Sequence, residues 1–265
     1  MIDIWGIVNV TPDSFSDGGA HFDHEAAIAH GRRLRADGAT VLDVGGESTR
    51  PGSEPVGADE EIRRIGPVIA ALAAEGAVVS VDTYRAATAE AAIAAGARIV
   101  NDVAGGLADP DILGVVAGSD AEYAIGHWRG PSVDMYAQAR YAHVAREVAA
   151  ELRARAESAL AAGIPAERII LDPGVGFAKH GEQNWELLRG LGEVTALGYR
   201  VLVGTSRKRF LEAALGEGPS MARRDLATAV TSVLAAQAGA HAVRVHDAAA
   251  SRDALAVVGA WEGRK

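Results

Sequence analysis

The sequence contains no cysteine. Disulfide bridges, thiolate nucleophiles and cysteine zinc sites are therefore excluded. Aromatic residues are scarce, at 5% of 265 positions, so aliphatic side chains have to build the core. Positive charge is in deficit: 26 lysines and arginines against 35 acids leave a formal charge of −9. A nucleic-acid partner gripped by a basic surface is excluded on that balance, although local cations can still receive a small anion. No apolar run approaches the ~20 residues that span a bilayer. The start, Met1-Ile2-Asp3-Ile4-Trp5, has neither the basic n-region nor the apolar h-region of a signal peptide. The expectation is a soluble, cytoplasmic protein with no membrane partner. The histidines form no HExxH pattern.

What the chain does have is alternation. Hydrophobic residues make up 49% of it, enough for a large core, with alanine and valine prominent. Strand-like runs end near Asn9, Gly45, Asp82, Asp102, His127, Asp172, Ser206 and His246. Helical runs follow at 23–37, 59–75, 85–96, 109–118, 143–162, 181–191, 207–215 with 222–239, and 248–261. Asp23 and Asp59 are candidate N-caps of the first two helices, and Gly38, Gly76, Gly96 and Gly163 are placed for left-handed helix ends. Eight β/α units over residues 1–265, with no linker, predict an α/β fold: a single-domain (β/α)8 TIM barrel. An open doubly wound sheet is the structural alternative.

All eight strands finish in polar or charged residues. In a barrel these ends converge on the C-terminal face, where such enzymes build their sites. The stretch Gly6 to Gly19 shows the pattern most fully. A buried strand ends in the amide of Asn9, and a long acidic loop carries one aromatic, Phe15. Βα connections usually take about 2–6 residues, so the length points to a loop that covers a ligand. Gly45-Gly46-Glu47-Ser48-Thr49-Arg50-Pro51-Gly52 repeats that logic after the second strand.

Asp82, Asn101 and Asp172 each follow an aliphatic run. Together they suit a flat heterocycle with an amino-pyrimidinone edge. The carboxylates equally suit a general acid–base pair or the oxygen ligands of a divalent metal. Asp102 points the opposite way from Asn101 and reads as structural; Asp43 reads equally as either. Arg207, Lys208 and Arg209 open a helix against its dipole, which suggests a nearby anion. Arg244 and His246 share one strand face and make a fork for a phosphate. The remaining histidines (His21, His24, His30, His143, His180 and His241) and Trp5, Trp185 and Trp261 read as loop, surface or packing residues.

In this order the motifs resemble the dihydropteroate synthase family, the folate-pathway enzymes targeted by sulfonamides. The likeness covers nearly the whole chain. It includes Asn9 to Gly19, Gly45 to Gly52, Val81-Asp82-Thr83, Asn101-Asp102-Val103, His127-Trp128, Asp172 to Lys179, Ser206-Arg207-Lys208 and Arg244 to Asp247. Phe177-Ala178-Lys179 and Ser206 to Phe210 look like the actinobacterial type. The resemblance implies condensation of a dihydropterin methyl pyrophosphate with para-aminobenzoate, giving dihydropteroate and pyrophosphate.

By that resemblance Asp82, Asn101 and Asp172 grip the pterin edge, Lys208 bonds its carbonyl, and Phe177 and Lys208 line the aminobenzoate pocket. Asn9, nearest a Mg²⁺ ion, Arg244 and His246 hold the pyrophosphate. Asp13, Phe15 and Asp17 on the first loop, and Thr49, Arg50 and Pro51 on the second, complete the closed site. Asp17, Arg50, Lys208, Arg244 and His246 are the expected catalytic set. The family also implies a homodimer packed through barrel helices; the run 222–239 reads equally as a face for that contact or as packing within the barrel. Two positions depart from the family pattern. Gly126 stands where methionine is common, which implies missing volume beneath the pterin at a cost of ~1–3 kcal/mol. Arg209 stands where serine is frequent. A non-catalytic pterin-binding paralogue and a pterin-dependent methyltransferase on the same barrel are the alternatives.

Overall fold

A computed structural model describes residues 2–11, 24–47, 56–130 and 135–263. Eight parallel strands close into a barrel in sequence order, which settles the fold as the barrel rather than the open sheet. They are β1 Asp3–Asn9, β2 Val41–Gly45, β3 Val78–Asp82, β4 Ile99–Asp102, β5 Glu122–Gly126, β6 Ile169–Asp172, β7 Arg200–Val203 and β8 Ala242–Val245. The helices are α1 His24–Ala36, α2 Ala58–Ala74, α3 Ala86–Ala94, α4 Asp111–Ala117, α5 Val144–Ala161, α6 Gly181–Arg189, α7 Gly192–Thr195, α8 Arg209–Leu215, α9 Met221–Gln237 and α10 Ala248–Trp261. No helix of the described residues is long and apolar enough to cross a membrane.

Each strand divides its side chains between two cores. Outward residues such as Ile4, Val8, Leu42, Val44, Val79 and Val81 pack against the helices. Inward residues at the lower end form a small apolar plug of Trp5, Val41, Ile99, Ala124, Ile170, Leu202 and Ala242. Helix α2 shows how the outer layer is specified. Ile65, Val68, Ile69 and Leu72 recur at helical spacing and are buried, while Asp59, Glu60 and Glu61 fill its first turn. Burying each such aliphatic chain contributes roughly 1.5–3 kcal/mol.

Several boundaries differ from the sequence reading. Gly57, not Asp59, is the N-cap of α2; acids in a first turn mimic a capping signal because both answer the same exposed N–H groups. The run at 181–191 is helical only to Arg189, and a separate single turn, α7, follows beyond it at Gly192–Thr195. The strand preceding Ser206 ends at Val203. Gly38, Gly76, Gly96 and Gly163 all have positive φ, as their positions predict. Asp23 lies outside the described residues.

Candidate active site

Above the apolar plug the inward side chains become polar. Strand register sets Asp43 level with Ile7 and Ser80, Asp82 beside Asn101, and Asp172 beside Gly126. Asp82, Asn101 and Asp172 stand at or next to the C-terminal ends of their strands, and Asp43 one layer below, at the middle of β2. The ladder therefore satisfies its backbone while its side chain is free to face the barrel mouth.

Asp43 is the centre of this layer. It is fully buried, and its Oδ2 accepts hydrogen bonds from Asn101 Nδ2 at 3.0 Å and from Arg244 Nε. Arg244 Nη2 donates to Asp82 Oδ2 at 2.7 Å. One guanidinium thus spans carboxylates from β2 and β3. Burial disfavours the Arg244 charge, but Asp43 and Asp82 outweigh it and hold the group above its ordinary range. Burial also pushes Asp82 above the usual carboxylate range; Arg244 opposes that rise and Asp43 adds to it. Asp43 Oδ1 is buried with no hydrogen-bond partner among the described residues, an acceptor that those residues leave unused.

Arg244 and His246 share the strand face expected of them, and Arg244 is not an isolated cation there. Two of the guanidinium's donor nitrogens are already engaged by carboxylates. His246, on the same face just beyond β8, is set by Ser206. The serine Oγ lies 2.9 Å from Nδ1 and accepts from the His246 amide at 3.1 Å.

The opposite wall comes from the segments after β6 and β7. Asp172 Oδ1 accepts from the Gly174 amide at 2.7 Å. Burial raises its pKa, with Lys208 pulling the other way. Lys208, the N-cap of α8, donates through Nζ to Val175 O and lies 4.7 Å from the Phe177 ring centroid. Burial lowers its pKa to about 8, against the attraction of Asp172. Its two basic neighbours do not join it, so the run is not a three-cation anion site. Arg207 has φ 57° and forms a fork with Asp225 on α9, at 2.7 and 2.9 Å. Arg209 is exposed.

Three polar residues at or after strand ends are engaged within the protein. Asp102 accepts from Tyr123 Oη at 2.7 Å and from the amides of Ala104 and Gly106, a structural role as expected. Glu47 accepts from Tyr84 Oη and Arg85 Nη2. His127 turns outward to Glu151 on α5, with Nε2 3.0 Å from Oε2. Asn9 closes β1, half-buried. Asp13, Phe15, Asp17, Thr49, Arg50 and Pro51 lie outside the described residues.

Gly126 does not leave the hole anticipated from sequence. A Cβ placed there would stand 2.5 Å from Val103 O and 2.6 Å from its Cα. The backbone following β4 occupies the space that a larger side chain would take. The glycine is required by that close approach and does not deprive the site of a wall.

A cavity of about 780 Å³ opens at the other end of the barrel, beneath the plug, and its lining includes Trp5, Thr40, Arg98 and His241. Much of its rim charge is paired within the protein, Arg200 with Glu122 at 3.0 Å and His241 with Asp3 at 3.5 Å. The polar strand ends belong to the opposite face.

A (β/α)8 barrel with buried carboxylates, an amide and a lysine at the C-terminal mouth defines an enzyme built to hold a small polar ligand. The chain belongs to the pterin binding enzyme family, whose pattern matches residues 5–246. It is 48% identical over 265 residues to the dihydropteroate synthase of Mycobacterium leprae (strain TN), covering 98% of this chain and 93% of the relative. That relative agrees with the actinobacterial type expected from the motifs. The fold superimposes on Xanthomonas albilineans dihydropteroate synthase with 4-aminobenzoic acid at a TM-score of 0.91 and 44% identity, covering 98% of this chain and 93% of that one. The same organism's synthase in complex with 7,8-dihydropteroate gives a TM-score of 0.88 at 42% identity, with 98% and 94% covered.

Proposed function

We infer that the chain catalyses the dihydropteroate synthase reaction of folate biosynthesis. The methyl carbon of a 6-hydroxymethyl-7,8-dihydropterin pyrophosphate loses its bond to oxygen, the arylamine nitrogen of para-aminobenzoate bonds to that carbon and gives up one proton to water, and pyrophosphate departs with the bonding electron pair. The observation that carries this reading is the full-length likeness to a synthase holding 4-aminobenzoic acid, at 44% identity and TM-score 0.91.

In this reading Asp82, Asn101 and Asp172 bind the amino-pyrimidinone edge of the pterin, and Lys208 turns from Val175 O to the ring carbonyl. Arg244 and His246 receive the pyrophosphate. The C–O bond beside an electron-rich pterin ionises ahead of attack, so the task of the site is to stabilise separating charges and exclude water. The arylamine is neutral near pH 7 and needs no strong base.

Asn9 supplies a single amide oxygen, and the described residues contain no group of three acidic or imidazole side chains able to hold a metal. That donor set fits Mg²⁺, which takes one or two protein ligands together with water and substrate phosphates. When bound, Mg²⁺ neutralises charge on the pyrophosphate.

The reading includes a cytoplasmic enzyme with small-molecule substrates, no nucleic-acid partner, and a homodimer. Leu226, Val230 and Leu234 recur every four residues on α9 and are more than half exposed, as are Val257 and Trp261 on α10, the helix that packs against α9. Trp261, expected to pack within the chain, is 88% exposed. An exposed apolar stripe of this kind fits a second copy.

The decisive assay supplies pterin pyrophosphate, para-aminobenzoate and Mg²⁺ and follows pyrophosphate release. Release coupled to dihydropteroate formation is expected. Bound pterin without release would instead assign a binding paralogue, a reading whose one support, Gly126, is removed by the Val103 backbone.

A further inference from the structure

Lys179 is 1% exposed, and burying an ammonium is costly unless every donor is matched. Here every donor is matched. Nζ lies 3.0 Å from Gly174 O, 3.0 Å from Phe177 O and 3.0 Å from His127 Nδ1. Three N–H groups meet three acceptors, the full complement of a lysine ammonium. Because His127 accepts at Nδ1, its proton is on Nε2, which donates to Glu151 Oε2. Glu151 is fixed in turn by Arg129 Nε at 3.1 Å, and the Arg129 guanidinium lies 3.8 Å from the Tyr141 ring centroid.

The two carbonyls belong to the turn joining β6 to α6. Its conformation is unusual: Gly174, Gly176 and Ala178 all have positive φ, at 64°, 85° and 48°. Such a turn needs outside restraint. Its front carries Phe177 and, through Val175 O, receives Lys208. Its rear is gripped by Lys179. Burial lowers the Lys179 pKa to about 7, while Asp172 favours its charge.

We propose that Lys179 is a positioning residue for the aminobenzoate pocket, fixing the β6–α6 turn that carries Phe177 and being locked to α5 through His127 and Glu151. The proposal rests on the reading above that Phe177 lines this pocket. It makes the pair Lys179–His127 a determinant of the second substrate's affinity without contact to either substrate. Asn184 holds the turn independently, accepting from the Gly176 amide at 2.6 Å, so removal of the lysine loosens the turn without abolishing it.

The test compares Lys179→Met and His127→Leu with the unmodified enzyme by steady-state pyrophosphate release. Lys179→Met is expected to raise the KM for para-aminobenzoate about tenfold, and His127→Leu about threefold, with the KM for the pterin pyrophosphate within about twofold of normal. A merely structural lysine would lower thermal stability and the active fraction while leaving both KM values unchanged; that result would overturn the proposal. If Lys179→Met does not fold, His127→Leu decides the matter alone by the same split. An unmodified enzyme without turnover would overturn the functional reading and this inference together, whereas normal turnover with unchanged KM values in the variants overturns the inference only.

Discussion

At the scale of single residues, Asp43 carries more than its place in the sequence suggests. Its Oδ2 is shared by Asn101 and Arg244, so removing it strands two donors. Asp43→Ala is expected to cost about 3 kcal/mol of folding stability, read from urea denaturation, and to depress kcat/KM by about a hundredfold or more. Arg244→Ala should abolish turnover while pterin still binds; near-normal rates of pyrophosphate release would remove Arg244 from that role. Gly126→Ala introduces a Cβ 2.5 Å from a backbone oxygen. It should lower stability by about 1–3 kcal/mol, visible as a fall in Tm, where a vacant pocket would have accepted the methyl group. These residues also mark where sequence reasoning stops. Position at the strand ends placed Asp82, Asn101, Asp172 and Arg244 at the C-terminal face of the barrel. It could not show that Arg244 would meet two carboxylates, that Arg207 would turn to an aspartate on another helix, or that the chain after β4 would press against Gly126. Those are contacts between distant segments, and no local pattern encodes them.

At the scale of elements, the link between the end of β5 and α5 predicts a pH response. Burial lowers the His127 pKa to about 4, with Lys179 acting in the same direction, against an ordinary 6.5. Between those values the unfolded chain binds more protons than the folded one, so stability rises with pH. The penalty is absent above about 6.5, grows as pH falls, and is complete near 4, amounting to about 3 kcal/mol. Replacing His127 with leucine should flatten the pH dependence of the denaturation midpoint in that window; an unchanged slope would rule this account out. The elements themselves were largely legible. The β-branched runs fixed eight strands, and the alanine-rich amphipathic runs fixed the long helices. The single turn α7, just past the run read at 181–191, was missed because four residues carry too little periodicity to register as a helix. His127 was placed at the mouth by its position after a strand, but one residue beyond Gly126 puts its side chain on the outer face.

At the scale of the whole molecule, the barrel has one polar end and one exposed apolar flank. If that flank is an interface between two copies, Leu234→Glu, at a position 54% exposed, should shift the species in solution from dimer to monomer with little loss of monomer stability, as measured by light scattering. An unshifted mass would remove α9 from the interface. The sequence announced the apolar character of the 222–239 run, but not that Leu226, Val230 and Leu234 stand outside the barrel rather than within it; only the closed topology separates those two faces.

The guanidinium shared between Asp43 and Asp82 has one more effect if Arg244 receives the departing pyrophosphate. An arginine with no partners would bind that dianionic-to-tetraanionic product strongly and release it slowly. An arginine already neutralised from both sides offers the anion only an exchange, and the carboxylates stand ready to reclaim it. In that role the pairing would shorten the product's residence, and turnover would be protected by the same two aspartates that keep the cation in place.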